Sequence, residues 1–381
     1  MDLSAQFQSQ DEALGNSVLT RAGLQPAGHV ASCVADQEIQ DNTSIIVTYL
    51  LEQVEEYRTL ANLRRQGWEN PAGDKFFRKQ RRNADKADAH TSRHHFKLMQ
   101  RIGNGVHKVT SGFAISRFAG TVLDMCAAPG GFLATALKLN PDATATGFSL
   151  PPSEGGYSIL LNEDDRYCVK FLDVTMLAED LGVTSIPSEH PDVRSFLPRQ
   201  IEETRLFDLV LCDGQVLRTQ NRAPYRETRE PARLKNAQLA LGLEHTRPGG
   251  TMIVLFHNVE AWDTVCFLHT FNKFSFIQLH KPCEGHTTRS SFYMVATKVQ
   301  SQNHEAVLAI KKWKDLWKTA TFGTDGEFAE SLRKGEPTAK EILGEFGLEL
   351  VRMGRGVWST QADALARAPY IFSQPACTPE S

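Results

Sequence analysis

The stretch Thr121–Phe132, Thr-Val-Leu-Asp-Met-Cys-Ala-Ala-Pro-Gly-Gly-Phe, restricts the fold more than any other part of the 381-residue chain. Val122–Leu123 is a short apolar run of the kind a buried parallel strand uses. Asp124 stands where that strand ends. Ala127–Gly131 makes a tight turn, and Phe132–Leu139 reads as the opening of a helix. Strand, glycine turn and helix form the first half of a βαβ unit. Glycines let the backbone approach a ligand with no Cβ in the way. An acid at the strand end can accept hydrogen bonds from ribose hydroxyls or an amino group. The spacing is neither Gly-x-Gly-x-x-Gly nor Gly-x-x-x-x-Gly-Lys-Ser/Thr, which argues against a dinucleotide fingerprint and a phosphate-cradling loop. The local residues alone leave open a bare strand-to-helix turn with no ligand.

The remaining chain continues the alternation. Ala143–Phe148, Val169–Asp173, Leu209–Cys212, Thr251–Phe256, Phe271–Leu279 and Ser291–Thr297 read as strands. Thr43–Arg65 has apolar residues at near-helical spacing and reads as one amphipathic helix, covering the core or a partner. Thr91–Ile102 and Ala232–Thr246 are helical in pattern, as are Glu305–Thr319 and Pro337–Leu350. Ser185–Gln200, with three prolines, reads as an exposed loop.

Asp124-x-x-Ala-Ala-Pro-Gly-Gly-Phe132 resembles the S-adenosylmethionine loop of the FtsJ-like ribose 2′-O-methyltransferase family. Ser92-Arg-x-x-Phe-Lys-Leu98 and Asp208-x-x-x-x-Asp213-Gly214 extend the resemblance over roughly residues 91–298. It implies a Rossmann-like α/β methyltransferase fold with a seven-stranded, mostly parallel sheet. It divides the chain into a helical and basic N-terminal extension (1–90), the methyltransferase domain (91–298) and a helical C-terminal extension (299–381). S-adenosylmethionine is the implied cofactor, held by Asp124, Cys126, Ala127, Pro129, Gly130, Gly131, Phe132, Ser149, Asp173 and Val174. An acid is expected near 149, beside the adenosine ribose, but Ser149 stands there. Asp173 matches the acid near the adenine; it also suits a helix N-cap.

For catalysis the resemblance implies a Lys-Asp-Lys-Glu group that orients a ribose hydroxyl and assists loss of its proton. Lys97 and Asp213 fit the first two places. A surface charge and a hydrogen-bonded turn residue are their plainer alternatives. The second lysine is replaced by Leu255 and the glutamate by Ser291. Strand alternation puts residue 257 on the same side as 255. His257 is therefore a candidate base, or a strand-end histidine with no special role. Lys281 and Arg289 are further basic residues near the site, with no assigned role.

The net charge of −3 gives no overall attraction to nucleic acid, so any such attraction must be local. Lys75–Arg82 packs five cations and two phenylalanines into eight residues. Such a run suits RNA contact, or a solvated helix face with its phenylalanines in the core. The arginines at 218, 222, 226 and 229 suggest a substrate-side loop. Seven scattered cysteines without a Cys-x-x-Cys pair argue against zinc and for reduced thiols. No secretory signal or membrane span is recognisable, so an intracellular protein, cytoplasmic or nuclear, is expected. The expected function is a methyltransferase acting on a ribose 2′-hydroxyl of RNA. The alternatives are a degenerate methyltransferase fold that binds S-adenosylmethionine or RNA, and a methyltransferase with a non-RNA acceptor.

Overall fold

The computed structural model describes residues 30–73, 89–332, 335 and 337–372. The basic run Lys75–Arg82 lies outside them. Seven strands form one sheet: β1 (Thr121–Asp124), β2 (Thr144–Ser149), β3 (Tyr167–Phe171), β4 (Phe207–Cys212), β5 (Thr246–His257), β6 (Phe276–His280) and β7 (Ser291–Val299). Their order is β3-β2-β1-β4-β5-β7-β6. Pairings among β1 to β5 are parallel, and β7 runs antiparallel to both β5 and β6. This is the seven-stranded, mostly parallel α/β sheet expected from the sequence. Reading outward from β1, the chain runs to β2 on one side and β4 on the other. That reversal opens a crevice beyond the carboxyl ends of β1 and β4, where open α/β sheets place ligands.

Strand alternation sorts the core into two layers. Val210, Cys212, Met252, Val254, Phe256, Phe292 and Met294 face one side. Leu209, Leu211, Ile253, Tyr293 and Val295 face the other. On the second side lie α3 (Ala89–Thr110), through Leu98, Met99, Ile102 and Val106, and α4 (Gly131–Leu139), through Phe132, Leu133 and Ala136.

The first side is covered by α5 (Glu230–Glu244), α6 (Trp262–Asn272) and the flanking helices. Those helices are α1 (Val30–Gln53), α2 (Glu55–Glu69), α7 (His304–Phe322) and α9 (Ala339–Leu365), with α8 (Asp325–Ser331) packed on α1 and α7. Leu50, Leu60, Trp313, Trp317, Phe346 and Trp358 belong to the same core cluster as the sheet residues. The N- and C-terminal segments also hold each other. The Tyr57 and Trp358 rings meet edge-to-face at 5.4 Å. Arg64 bonds Glu260 and donates to Gln361 Oε1 at 2.8 Å. The Ala339 amide donates to Asn42 Oδ1 at 3.0 Å.

Several boundaries differ from the sequence reading. The single helix expected over Thr43–Arg65 is two, because Val54 is extended (φ −128°, ψ 108°). The third strand stops at Phe171, so Asp173 lies beyond it. The sixth strand begins at Phe276, because Trp262–Asn272 is the helix α6. That helix buries Trp262, Thr264, Val265, Leu268 and Phe271 around most of its circumference, which leaves no polar stripe to mark it in the sequence. Arg226 and Arg229 of the expected substrate-side loop are buried, and only Arg218 of the four is exposed.

Trp358→Ala removes a fully buried side chain that joins α9 to α2 within the core cluster shared with the sheet. The expected loss is about 3–5 kcal/mol of stability, read from urea unfolding as an earlier, still single transition. Two separated transitions would mean that the flanking helices melt independently of the sheet.

Candidate active site

The crevice beyond β1 and β4 is an open cleft, walled by the turns that follow those strands and by residues of β2, β5, β7 and α3. One wall is the turn after β1. Its backbone is set by a cis peptide at Ala128–Pro129 and a left-handed Gly130 (φ 107°). Gly130 also has no room for a side chain, since a Cβ there would lie 2.9 Å from Leu161. Gly131 opens α4 against α3, where a Cβ would stand 2.5 Å from both Met99 Cβ and the Phe96 carbonyl oxygen. The glycine pair thus brings the turn, α3 and α4 into contact.

Nine of the ten candidate cofactor residues line this cleft: Asp124, Cys126, Ala127, Pro129, Gly131, Phe132, Ser149, Asp173 and Val174. Gly130 shapes the turn from behind. Asp213 also lines the cleft, whereas Lys97 and His257 do not. Lys97 is exposed on α3, while His95 and Met99, two residues to either side, face the cleft. His257 sits one layer back, its Nε2 lying 3.3 Å from Nε2 of Gln215, a cleft residue. Leu255 stands in the cleft wall beside Tyr293, its partner across β5 and β7. Ser291 pairs with His257 and is buried. Lys281 is buried too, its ammonium bonding the Arg289 carbonyl and the Ser291 carbonyl, the latter at 2.6 Å. It ties the β6–β7 connection together. Among the described residues lining the cleft there is no lysine or arginine.

The cleft is instead acidic at its floor. Asp124 and Asp213 follow adjacent parallel strands. Burial, and then the charge of Asp213, push the Asp124 carboxyl well above its ordinary value. Burial pushes Asp213 up to about 7. Asp124 Oδ1 accepts from the Cys126 amide at 3.2 Å, and its other oxygen accepts no bond from the described residues. A buried acceptor facing a cleft in this way suits a ligand that brings hydroxyl or ammonium donors. The cofactor implied by the sequence, S-adenosylmethionine, carries both. Burial, reinforced by Arg289 and His94, lowers His95 to about 4, so its imidazole is neutral at pH 7.

Asp173 is arranged differently. Its Oδ1 accepts from the amide and hydroxyl of Thr175, at 2.9 and 2.8 Å. Its Oδ2 accepts from Gln220 Nε2 at 2.9 Å and Arg226 Nη2 at 2.6 Å. Burial alone would raise this carboxyl, but the Arg226 charge and these bonds hold it below its ordinary value. Arg226 also bonds Glu230 at 2.5 Å, and Glu230 bonds Arg233 at 2.6 Å. Arg233 continues to Thr321 Oγ1 of α7 at 3.0 Å. Asp173 therefore caps the turn Val174–Met176 and also anchors a buried charge network.

Sequence reasoning did not single out His95, Gln215, Gln220, Glu230 or Tyr293. A usable signal existed for His95. The buried positions 98, 102 and 106 define the inward face of α3, and position 95 falls on that face while 97 does not. Among the described residues no group of three or more His, Cys, Asp or Glu could hold a metal ion, and no helix is long and apolar enough to cross a membrane.

An α/β sheet of this order, with its cleft at the β1/β4 reversal, is a methyltransferase architecture. Residues 92–299 match the family model of FtsJ-like methyltransferases. That match spans more than half of the chain, and the protein belongs to the FtsJ-like methyltransferase family. No curated protein matches the chain. Among solved structures, a ribosomal RNA methyltransferase of Plasmodium falciparum is 14% identical, with 52% of this chain and 97% of that one covered and a TM-score of 0.34. An rRNA methylase of Streptococcus thermophilus is 10% identical over 51% of this chain and 97% of that one, at a TM-score of 0.32. Human methyltransferase-like protein 13, in complex with SAH, is 12% identical over 64% and 94%, at 0.29. The family assignment rests on the family-model match and not on these three likenesses.

The raised Asp213 carboxyl has a measurable consequence. Its folded value of about 7 exceeds the unfolded value of about 3.9. Its contribution to stability is therefore full below about pH 4 and is lost as the pH rises to 7. Asp213→Asn cannot ionise. It should raise stability at pH 8 by about 1–3 kcal/mol, with a smaller gain at pH 5.5. A gain independent of pH in thermal melts would show that Asp213 ionises normally.

Proposed function

We propose that this methyltransferase uses S-adenosylmethionine and acts on a ribose 2′-hydroxyl of RNA. The observation that carries the reading is the cleft itself, where the Asp124–Phe132 turn, Ser149 and Asp213 surround one space at the strand ends. Bound S-adenosylmethionine supplies a methyl group on a positively charged sulfur. Asp124 offers the donors of that molecule a buried carboxylate. Gly131 and Phe132 bring the start of α4 against it. Asp213 stands at the acceptor side, half-buried. Asp213 receives the proton of the acceptor hydroxyl, there being no lysine among the described residues of the cleft wall, and Gln215, backed by His257, fixes its surroundings.

RNA is favoured as the acceptor by the outer face of α3. Arg93, Lys97 and Arg101 recur every four residues there and are exposed, although Arg101 is paired with Glu284 at 2.7 Å. Exposed cations of this spacing suit contacts to successive phosphates. Lys97 then serves to hold the RNA rather than to take the proton. The run Lys75–Arg82 precedes the same helix in the sequence.

A second reading is favoured by Leu255. An apolar side chain lies in the cleft wall where the family resemblance implies a lysine. This suits a protein that binds S-adenosylmethionine without transferring its methyl group.

Calorimetric titration with S-adenosylmethionine, followed by labelled methyl transfer to RNA, separates the readings. Micromolar binding that Asp124→Ala abolishes, with label on RNA linkages resistant to alkali, is the expected result. Activity should rise through about pH 7 as Asp213 ionises, and Asp213→Asn should lose transfer while retaining binding. Lys97→Ala should raise KM for RNA with little change in kcat. Binding without transfer to any RNA would favour the second reading, and absence of binding would reject both.

A further inference from the structure

We propose that Gln220, and not Asp173, reads the amino group of the cofactor's base, an inference that rests on the S-adenosylmethionine reading above. A carboxylate offers about four lone-pair sites. Those of Asp173 are occupied by the amide and hydroxyl of Thr175, by Gln220 and by Arg226. The acid has no acceptor capacity left for a ligand, although it lines the cleft.

Gln220 lines the cleft beside it and is oriented by it. An ionised carboxylate only accepts hydrogen bonds, so Gln220 must present its NH2 group to Asp173. Arg226 keeps Asp173 ionised, and Glu230 and Arg233 hold Arg226 from behind. The Gln220 carbonyl Oε1 is thereby directed away from Asp173, and it accepts no hydrogen bond from the described residues. Aliphatic side chains of Leu150, Leu172, Val174, Leu217 and Leu234 line the same cleft. An apolar slot with one fixed acceptor suits a planar heterocycle that carries an exocyclic amine. A 6-aminopurine donates to Oε1. A 6-oxopurine sets oxygen against oxygen there.

The test compares two product analogues, S-adenosylhomocysteine and S-inosylhomocysteine, which differ in the amino and oxo groups at purine position 6. Calorimetry on the full chain gives the affinity ratio for the wild type and for Gln220→Met, which keeps length and loses the carbonyl. Thermal melts establish that the variant is folded. The wild type should prefer the adenosyl compound by at least about tenfold, and Gln220→Met should bring the ratio near one, mainly by weakening the adenosyl compound. A ratio unchanged in the variant, or equal weakening of both compounds, would overturn the assignment. If the wild type binds neither compound, the S-adenosylmethionine reading fails and this assignment fails with it. If Gln220→Met is unfolded, the wild-type ratio decides alone: equal affinities reject the assignment, and a tenfold preference supports it.

Discussion

Asp124 and Asp213 stand at the ends of neighbouring strands and face the same cleft, and the surrounding architecture holds two acids close together where water is scarce. Such a pair resists full ionisation. It persists because each acid is fixed by backbone that the fold needs for other reasons. Asp124 terminates the first parallel strand before the glycine turn. Gly214, directly after Asp213, is packed so closely on Cys126 that a Cβ would lie 2.1 Å from its sulfur. The two strand ends are therefore locked together, and the acids with them. The region suits ligands that bring donors.

A second set of charges stabilises the opposite end of the cleft by another route. Here opposite charges alternate: Asp173, Arg226, Glu230 and Arg233. Buried ion pairs offset their desolvation only when the geometry is good and the remaining donors are satisfied. Both arginines meet this condition through further bonds to Thr175 and Thr321. The indole of Trp317 donates to the Thr175 carbonyl at 3.0 Å and closes the network from α7. One end of the cleft thus sets two acids against each other, and the other is a satisfied network of alternating charges.

The turn at 124–132 was legible because its chemistry is local: an acid, a proline and two glycines dictate the backbone between a strand and a helix. The strand cores were legible from their apolar runs. Lys97 was singled out by a sequence pattern, whereas the helical period of α3 selects His95 for the inward face. Arg226 and Arg229 read as part of a substrate-side loop because four arginines fall close together there. Their partners include Asp173, 53 residues away, and the Gly323 carbonyl, 94 residues away, distances at which no local pattern operates. The break at Val54 carries no glycine or proline to announce it. Helix α6 escaped notice because burial on nearly all sides erases amphipathic contrast.

The bonds from Arg233 to Thr321 and from Trp317 to Thr175 also bear on inheritance. The segment that matches the family model ends at 299, yet a guanidinium with 0% of its surface exposed depends on a hydroxyl 88 residues further along. The unit that can be transplanted or duplicated as a whole is therefore longer than the family segment. Helix α7 and the cleft must change in step, because a substitution at 317 or 321 alters the footing of Asp173 without touching a ligand. Divergence in the C-terminal helices of this lineage is, in that sense, divergence of the site.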